Sequence, residues 1–231
     1  MVNIDEVTTA GADEPSWKQR AVERSTRAAK LRAEQRVQRF LDAAQSIITD
    51  KGTTDFTVQE VVDVSRQSLR SFYQQFDGKH ELLLALFEDA LRRATIQIAA
   101  AADAQPDPID ALRTAVQLLF ELSRPDPDAH RALFTEFAPR LLLTHPAEVR
   151  RAHAPLLDLL TVLASRAGRA GRLRSGAEPR RVAALAMATV MFTAQASVAP
   201  DPGSPAADAN GNARPVSAGE IWDFVAHGIA G

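Results

Sequence analysis

Nineteen residues, Thr57 to Gln75, have room for two short helices and little else. Thr57 with Glu60 forms a capping box, in which each side chain can satisfy the other residue's free N–H, and it opens a helix over 57–64. Ser68 reads as the N-cap of a second helix over 68–75. Ahead of them Val37, Phe40, Leu41, Ala44, Ile47 and Ile48 recur at helical spacing. They give an amphipathic helix over about 33–51 that stops at Gly52. Three helices this close, the last two joined by Ser65-Arg66-Gln67, have the size of a helix-turn-helix.

Few stretches alternate with period two, and Ala, Leu and Arg dominate, so the whole chain reads as all-α. Asp77 can cap a long fourth helix that runs through Leu82, Leu83, Leu86, Phe87 and Leu91 to about Ala102. Further helices are expected over 109–123, 128–137, 146–168 and 179–198, and around Ile221, Trp222, Phe224 and Val225. Pro155 should kink or restart the third of these. Residues 200–215, rich in Pro, Gly, Asn, Ala and Asp, read as a mobile loop.

Several function classes drop out. The chain has no cysteine, which excludes disulfides, thiol catalysis and thiolate metal sites. No apolar run reaches the roughly 18 residues of a membrane span. The first fifteen residues hold four acids and no apolar core, so they are no signal peptide, and a cytoplasmic location is expected. Neither Gly-x-Ser-x-Gly, a phosphate-binding glycine loop nor His-Glu-x-x-His occurs, so no enzyme and no cofactor are expected. The histidines, His80, His130, His145, His153 and His227, sit in no ligand motif. His145 and His153 could share a helix face, but that spacing is loose, and no metal is assigned.

The net charge of −2 argues against a polyanion partner until it is read by segment. Residues 17–39 carry eight bases and two acids, a local +6 masked by the acidic leader and a nearly neutral body. A basic arm beside a small helical domain points to phosphate contact. On the third helix Leu69, Phe72 and Phe76 share the inward face, leaving Gln67, Ser68, Arg70, Ser71 and Gln74 outside. Such hydrogen-bonding side chains suit base edges and phosphates, where carboxylates would be repelled. Arg70 is the first choice for a base contact, since its planar fork matches guanine O6 and N7.

Phe40-Leu41-Asp42-Ala43-Ala44, Gly52, Phe56-Thr57-Val58-Gln59-Glu60-Val61-Val62 and the pattern Tyr73-x-x-Phe76-x-x-Lys79-x-x-Leu82 together resemble the N-terminal domain of TetR-family transcriptional regulators. The resemblance covers about 50 of the 231 residues. It implies phosphate contacts at Thr57, Tyr73 and Lys79 and groove contacts at Gln67, Ser68, Arg70, Ser71 and Gln74. His80 joins Lys79 in the first turn of the fourth helix, where free N–H groups favour phosphate. One departure stands out. The family's Ala-Gly-Val type of turn is Ser65-Arg66-Gln67 here, so Arg66 must bear an unusual backbone angle or avoid it, while adding positive charge near DNA.

The resemblance further implies a ligand-binding, dimerising C-terminal domain. The division expected is a flexible basic arm over 1–32, with Trp17 unassigned, a DNA-binding domain over 33–80 and a helical effector and dimer domain over 81–231. Candidate pocket residues are Phe87, Leu91, Phe120, Phe134, Phe137, Met191 and Gln195, an apolar set that suits a small hydrophobic effector. Candidate dimer residues are Ala184, Ala188, Trp222, Phe224 and Val225. The function expected is a ligand-responsive repressor that binds a palindromic operator in double-stranded DNA as a homodimer. The rival reading is a helical protein-interaction module without specific DNA binding. That module would need neither the basic arm nor the Tyr73–Leu82 pattern.

Overall fold

The computed structural model describes residues 16–124, 136–196 and 216–229. Among the described residues there are nine α-helices and no strand, in the order α1 Ser16–Lys51, α2 Val58–Ser65, α3 Leu69–Tyr73, α4 Lys79–Asp103, α5 Pro108–Ser123, α6 Ala138–Thr144, α7 Pro146–Arg169, α8 Pro179–Ala196 and α9 Ala218–Ile229. The chain is all-α, an N-terminal helix-turn-helix unit followed by a helical C-terminal domain. No described helix is long and apolar enough to cross a membrane.

The first core joins α1, α2, α3 and the front half of α4. Phe40 lies at its centre, fully buried, with the rings of Phe72 and Phe76 edge-on to it at 5.4 and 6.2 Å. Those aromatic contacts fix α3 against α1, which a five-residue helix could not achieve by its own hydrogen bonds. The second core gathers α5, α7, α8 and α9 around Leu112, Val116, Phe120, Leu156 and Leu160. The long helix α4 belongs to both, with Leu82, Leu86, Phe87 and Leu91 in the first and Ile98 and Ala102 in the second. Phe137, Leu141 and Ala152, from beyond residue 81, also pack in the first core, so the core boundary does not follow a cut at 80/81.

Four local expectations are revised. Helix α1 starts at Ser16 instead of Ala33, so residues 16–32 are helical and continuous with the domain. No Gly or Pro interrupts 16–51, and Ala, Arg, Lys, Glu and Gln are strong helix formers, so nothing local ends the helix earlier. Asp77 does not cap α4. Gly78 is the N-cap residue, and the Asp77 N–H donates instead to the Glu81 carboxylate. Helix α7 runs unbroken through Pro155, which lies on the exposed side, where the carbonyl deprived of its donor can meet water. Helix α6 falls between the expected helices and was not anticipated; Pro139 sits in its first turn, where its missing N–H costs nothing. Most of the helix expected over 128–137, His130, the loop 200–215 and residues 1–15 lie outside the described residues.

Candidate nucleic-acid interface and ligand cavity

Helix α2 begins with the expected capping box. The Thr57 hydroxyl accepts from the Glu60 N–H at 3.2 Å, and the Glu60 carboxylate accepts from the Thr57 N–H at 2.8 Å. Glu60 is also bound by the Lys51 ammonium, and these donors hold its carboxyl down to about 2. Helix α3 is capped by Ser68, whose hydroxyl accepts from the Ser71 N–H at 3.0 Å.

The turn between them is built around Arg66, the only non-glycine among the described residues with positive φ (φ 54°, ψ 35°). The Arg66 N–H donates to Asp63 and the Gln67 N–H to Val62 O, each at 3.3 Å. This is a Schellman closure, with Arg66 in the left-handed position that glycine usually occupies. Arg66 therefore bears the strained angle, and its exposed side chain stands beside the start of α3.

The exposed surface of α3 holds Arg70, Gln74 and Tyr73, with Ser68 at its start and Gln67 half-buried. Tyr73 is 55 % exposed and meets Phe72 edge-on at 5.4 Å. Two residues depart from the expected faces. Leu69 is 43 % exposed, because Phe72 and Phe76 take the contacts with Phe40 and the first residue of so short a helix overhangs the core. The Ser71 hydroxyl is buried without a hydrogen-bond partner, so this short side chain does not reach the outer surface.

At the start of α4 two neighbours part company. Lys79 Nζ stands 3.8 Å from the Asp55 carboxylate and 4.7 Å over the Phe56 ring, close to the α2 N-terminus. His80 turns the other way. Its ring lies 4.8 Å from that of His145 and 5.7 Å from that of Phe137, and its Nε2 is 3.6 Å from the Glu148 carboxylate. It therefore faces the C-terminal domain rather than sharing the surface of α3. A second tie crosses the same junction. One Glu136 oxygen accepts from the Thr54 N–H, the Thr53 hydroxyl and the Thr54 hydroxyl at 3.0, 3.0 and 3.1 Å. The Thr54 N–H above all keeps this carboxyl below its usual range. Nothing in the sequence marked Glu136, which lies more than 80 residues from its partners.

A cavity of about 540 Å³ opens between α4, α6, α7 and α8. Phe87, Met191 and Gln195 line it as expected, together with Leu157, Met187, Phe192, Arg150 and His153. Leu91 and Phe120 are in the solid core instead, Phe137 faces the junction, and Phe134 lies outside the described residues. Burial against this apolar wall pushes the His153 imidazole below its ordinary value, partly offset by the bond from Nδ1 to Val149 O at 2.8 Å. The ring is edge-on to Phe87 at 5.5 Å. His145 and His153 thus serve different places.

Residues 40–86 match the family model described as bacterial regulatory proteins, tetR family. The N-terminal domain is of the TetR type. The whole fold resembles solved TetR-family structures. A transcriptional regulator from Pectobacterium atrosepticum is 16 % identical, with 86 % of this chain and 92 % of that one covered at a TM-score of 0.62. The fatty acid degradation regulator FadR from Bacillus halodurans is 17 % identical, with 84 % and 95 % covered at 0.64. FadR from Bacillus subtilis, solved with stearoyl-CoA, is 13 % identical, with 82 % and 95 % covered at 0.57. At these identities the likeness speaks for the fold. No curated protein sequence matches the chain.

The expected dimer residues divide by burial. Trp222 and Val225 pack into the second core of their own chain, since α9 is short and needs those side chains to dock on α5. Ala184 is half-buried, and Ala188 and Phe224 are exposed. Two residues not anticipated stand with them. Leu185 is 62 % and Phe192 75 % exposed, and with Ala188 they form a stripe along one face of α8. Alanine-rich composition drew attention to this helix, but only burial shows which apolar side chains its own core leaves uncovered.

Proposed function

We propose that the protein is a homodimeric, effector-responsive transcriptional repressor that binds a palindromic operator. The observation that carries this is the TetR-type helix-turn-helix with Arg66, Arg70 and Gln74 exposed on one side and an apolar cavity behind α4. Arg70 reads a guanine, and Gln67, Ser68 and Gln74 complete the groove contacts. The exposed Leu69 suits a thymine methyl. Tyr73, Lys79 and Arg66 hold phosphates. Lys79 would exchange its Asp55 contact for one, and Thr57, whose hydroxyl is engaged by Glu60, serves chiefly to fix the start of α2.

The basic half of α1 adds backbone contact. It is a charged helix without a protein core of its own, which suits the phosphate track beside the helix-turn-helix. Dimerisation through α8 and α9 would cover Leu185, Ala188, Phe192 and Phe224, and pair two recognition helices on one duplex.

The effector is a small, mostly hydrophobic molecule. The lining supports this, with Gln195, Arg150, Arg180 and His153 as the polar groups on its wall. Phe87, in the cavity wall, and Lys79, beside α2, belong to the same helix, so an effector that moves α4 moves the recognition helix. Linkage makes the effect reciprocal, and operator must weaken effector affinity by the same factor. Selection of bound sites from random duplexes is the test. Two inverted half-sites about one helical turn apart are expected. A single unpaired site, or no enrichment, would refute the reading.

A further inference from the structure

The junction between the DNA-binding domain and the C-terminal domain carries a donor set that the function above does not use. We propose that His80, His145 and Glu148 form a binding site for a divalent transition-metal ion, Zn2+ by preference, that bridges the two domains. One donor atom from each residue lies within 4.8 Å of the other two. Donors that each stand ~2.0–2.1 Å from zinc are separated by roughly 3.4 Å, so closure needs about 1 Å of side-chain movement. Two imidazoles and a carboxylate favour zinc and its neighbours over Mg2+ or Ca2+, and leave a fourth position for water.

The surroundings are arranged for it. His145 and Glu148 occupy the N-terminal end of α7, where the His145 carbonyl accepts from the Glu148 N–H at 3.0 Å and fixes their relative placement. The His145 Nδ1 lies 2.8 Å from the Thr144 hydroxyl. With the proton on Nδ1, that contact holds the ring and leaves Nε2 as the ligand atom, the usual outer-sphere device of a histidine site. One Glu148 oxygen is buried and has no hydrogen-bond partner. Its neighbour His80 Nε2, at 3.6 Å, is too far for a hydrogen bond. A cation placed between them would satisfy that oxygen. The three residues come from two domains, with His80 far from the others in the chain, so sequence spacing does not reveal the set.

Zinc titration of the metal-stripped, full-length protein tests the site, read by competition with a chromogenic chelator. One Zn2+ per chain is expected with a Kd on the order of 1 µM. His80→Ala on α4, and His145→Ala or Glu148→Gln at the start of α7, should each weaken binding by about 30-fold or more. His227→Ala, on the exposed side of α9, should leave it unchanged, and circular dichroism checks that every variant is folded. Co2+ in place of zinc should give the visible absorption of a four- or five-coordinate site. Binding no tighter than about 100 µM would overturn the site. So would equal affinity in the variants, and loss confined to the α7 variants would overturn the bridge.

Discussion

Arg66→Gly should stabilise the protein while weakening its hold on DNA. Arg66 is locked at φ 54°, ψ 35° by the two N–H bonds that close α2. An L-residue in this conformation costs about 1–2 kcal/mol, which glycine avoids. Glycine also gives the unfolded chain more freedom, which offsets about 0.4–1 kcal/mol of that relief. The net gain is about 0.5–1 kcal/mol, or roughly 1–4 °C in Tm for a chain of this size. Thermal unfolding by far-UV circular dichroism reads it. Arg66→Ala is the control. It loses the same side chain but keeps the left-handed angle, so its Tm should stay near that of the parent. If both variants shift alike, the arginine side chain matters and the backbone angle does not. If Arg66→Gly is destabilised, the strain argument fails outright. On DNA both variants should bind alike, more weakly than the parent, with the salt slope reduced by about one.

The other predictions rest on single contacts. Arg70→Ala should lose about 1–3 kcal/mol on the selected operator and relax one base preference, and uniform loss across unrelated duplexes would make Arg70 a phosphate contact. Ser68→Ala removes the α3 cap and should cost about 1 kcal/mol in urea unfolding, whereas an unchanged midpoint would show that aromatic packing alone holds α3. His153 is held neutral by burial, with its proton affinity lowered in the folded state. Its contribution is fully present above the ordinary histidine value of about 6.5 and is lost as pH falls below it, since the unfolded chain then binds the extra proton. The lowered carboxyls of Glu60 and Glu136 lose their contributions only further into acid, so the difference between the parent and a His153 variant from pH 7.5 to 5.5 is what reads this histidine apart from the others. His153→Gln should flatten that slope, and an unchanged slope would place the titration elsewhere. Glu136→Ala removes three hydrogen bonds across the junction and should cost about 1–2 kcal/mol, with faster amide exchange at Thr54 as the local sign.

What could be read from the chain alone was set by near neighbours. The capping box at Thr57, the cap at Ser68, the apolar periodicity of α1 and the Tyr73–Leu82 pattern all act within about one or two helical turns, and each appears in the fold where the residues placed it. Sequence marked the turn at Arg66 as unusual but left open whether Arg66 bears the left-handed angle or avoids it, and only the structure shows that it bears it. The sequence could not say where the basic arm becomes helix, because nothing within it stops one.

Burial and pairing between distant segments were decided by the tertiary structure. Leu69 and Ser71 exchange expected faces because Phe72 and Phe76 occupy the space beside Phe40. Trp222 turns inward to dock α9, while Leu185 and Phe192 are left outside. His80 turns away from Lys79 to meet His145 and Glu148, and Glu136 reaches back to Thr54. Side-chain periodicity names the apolar face of a helix, but competition among all helices for one core determines which part of that face is covered. The recognition element is therefore local chemistry, whereas the cavity, the uncovered stripe and the junction exist only once the long-range packing has formed.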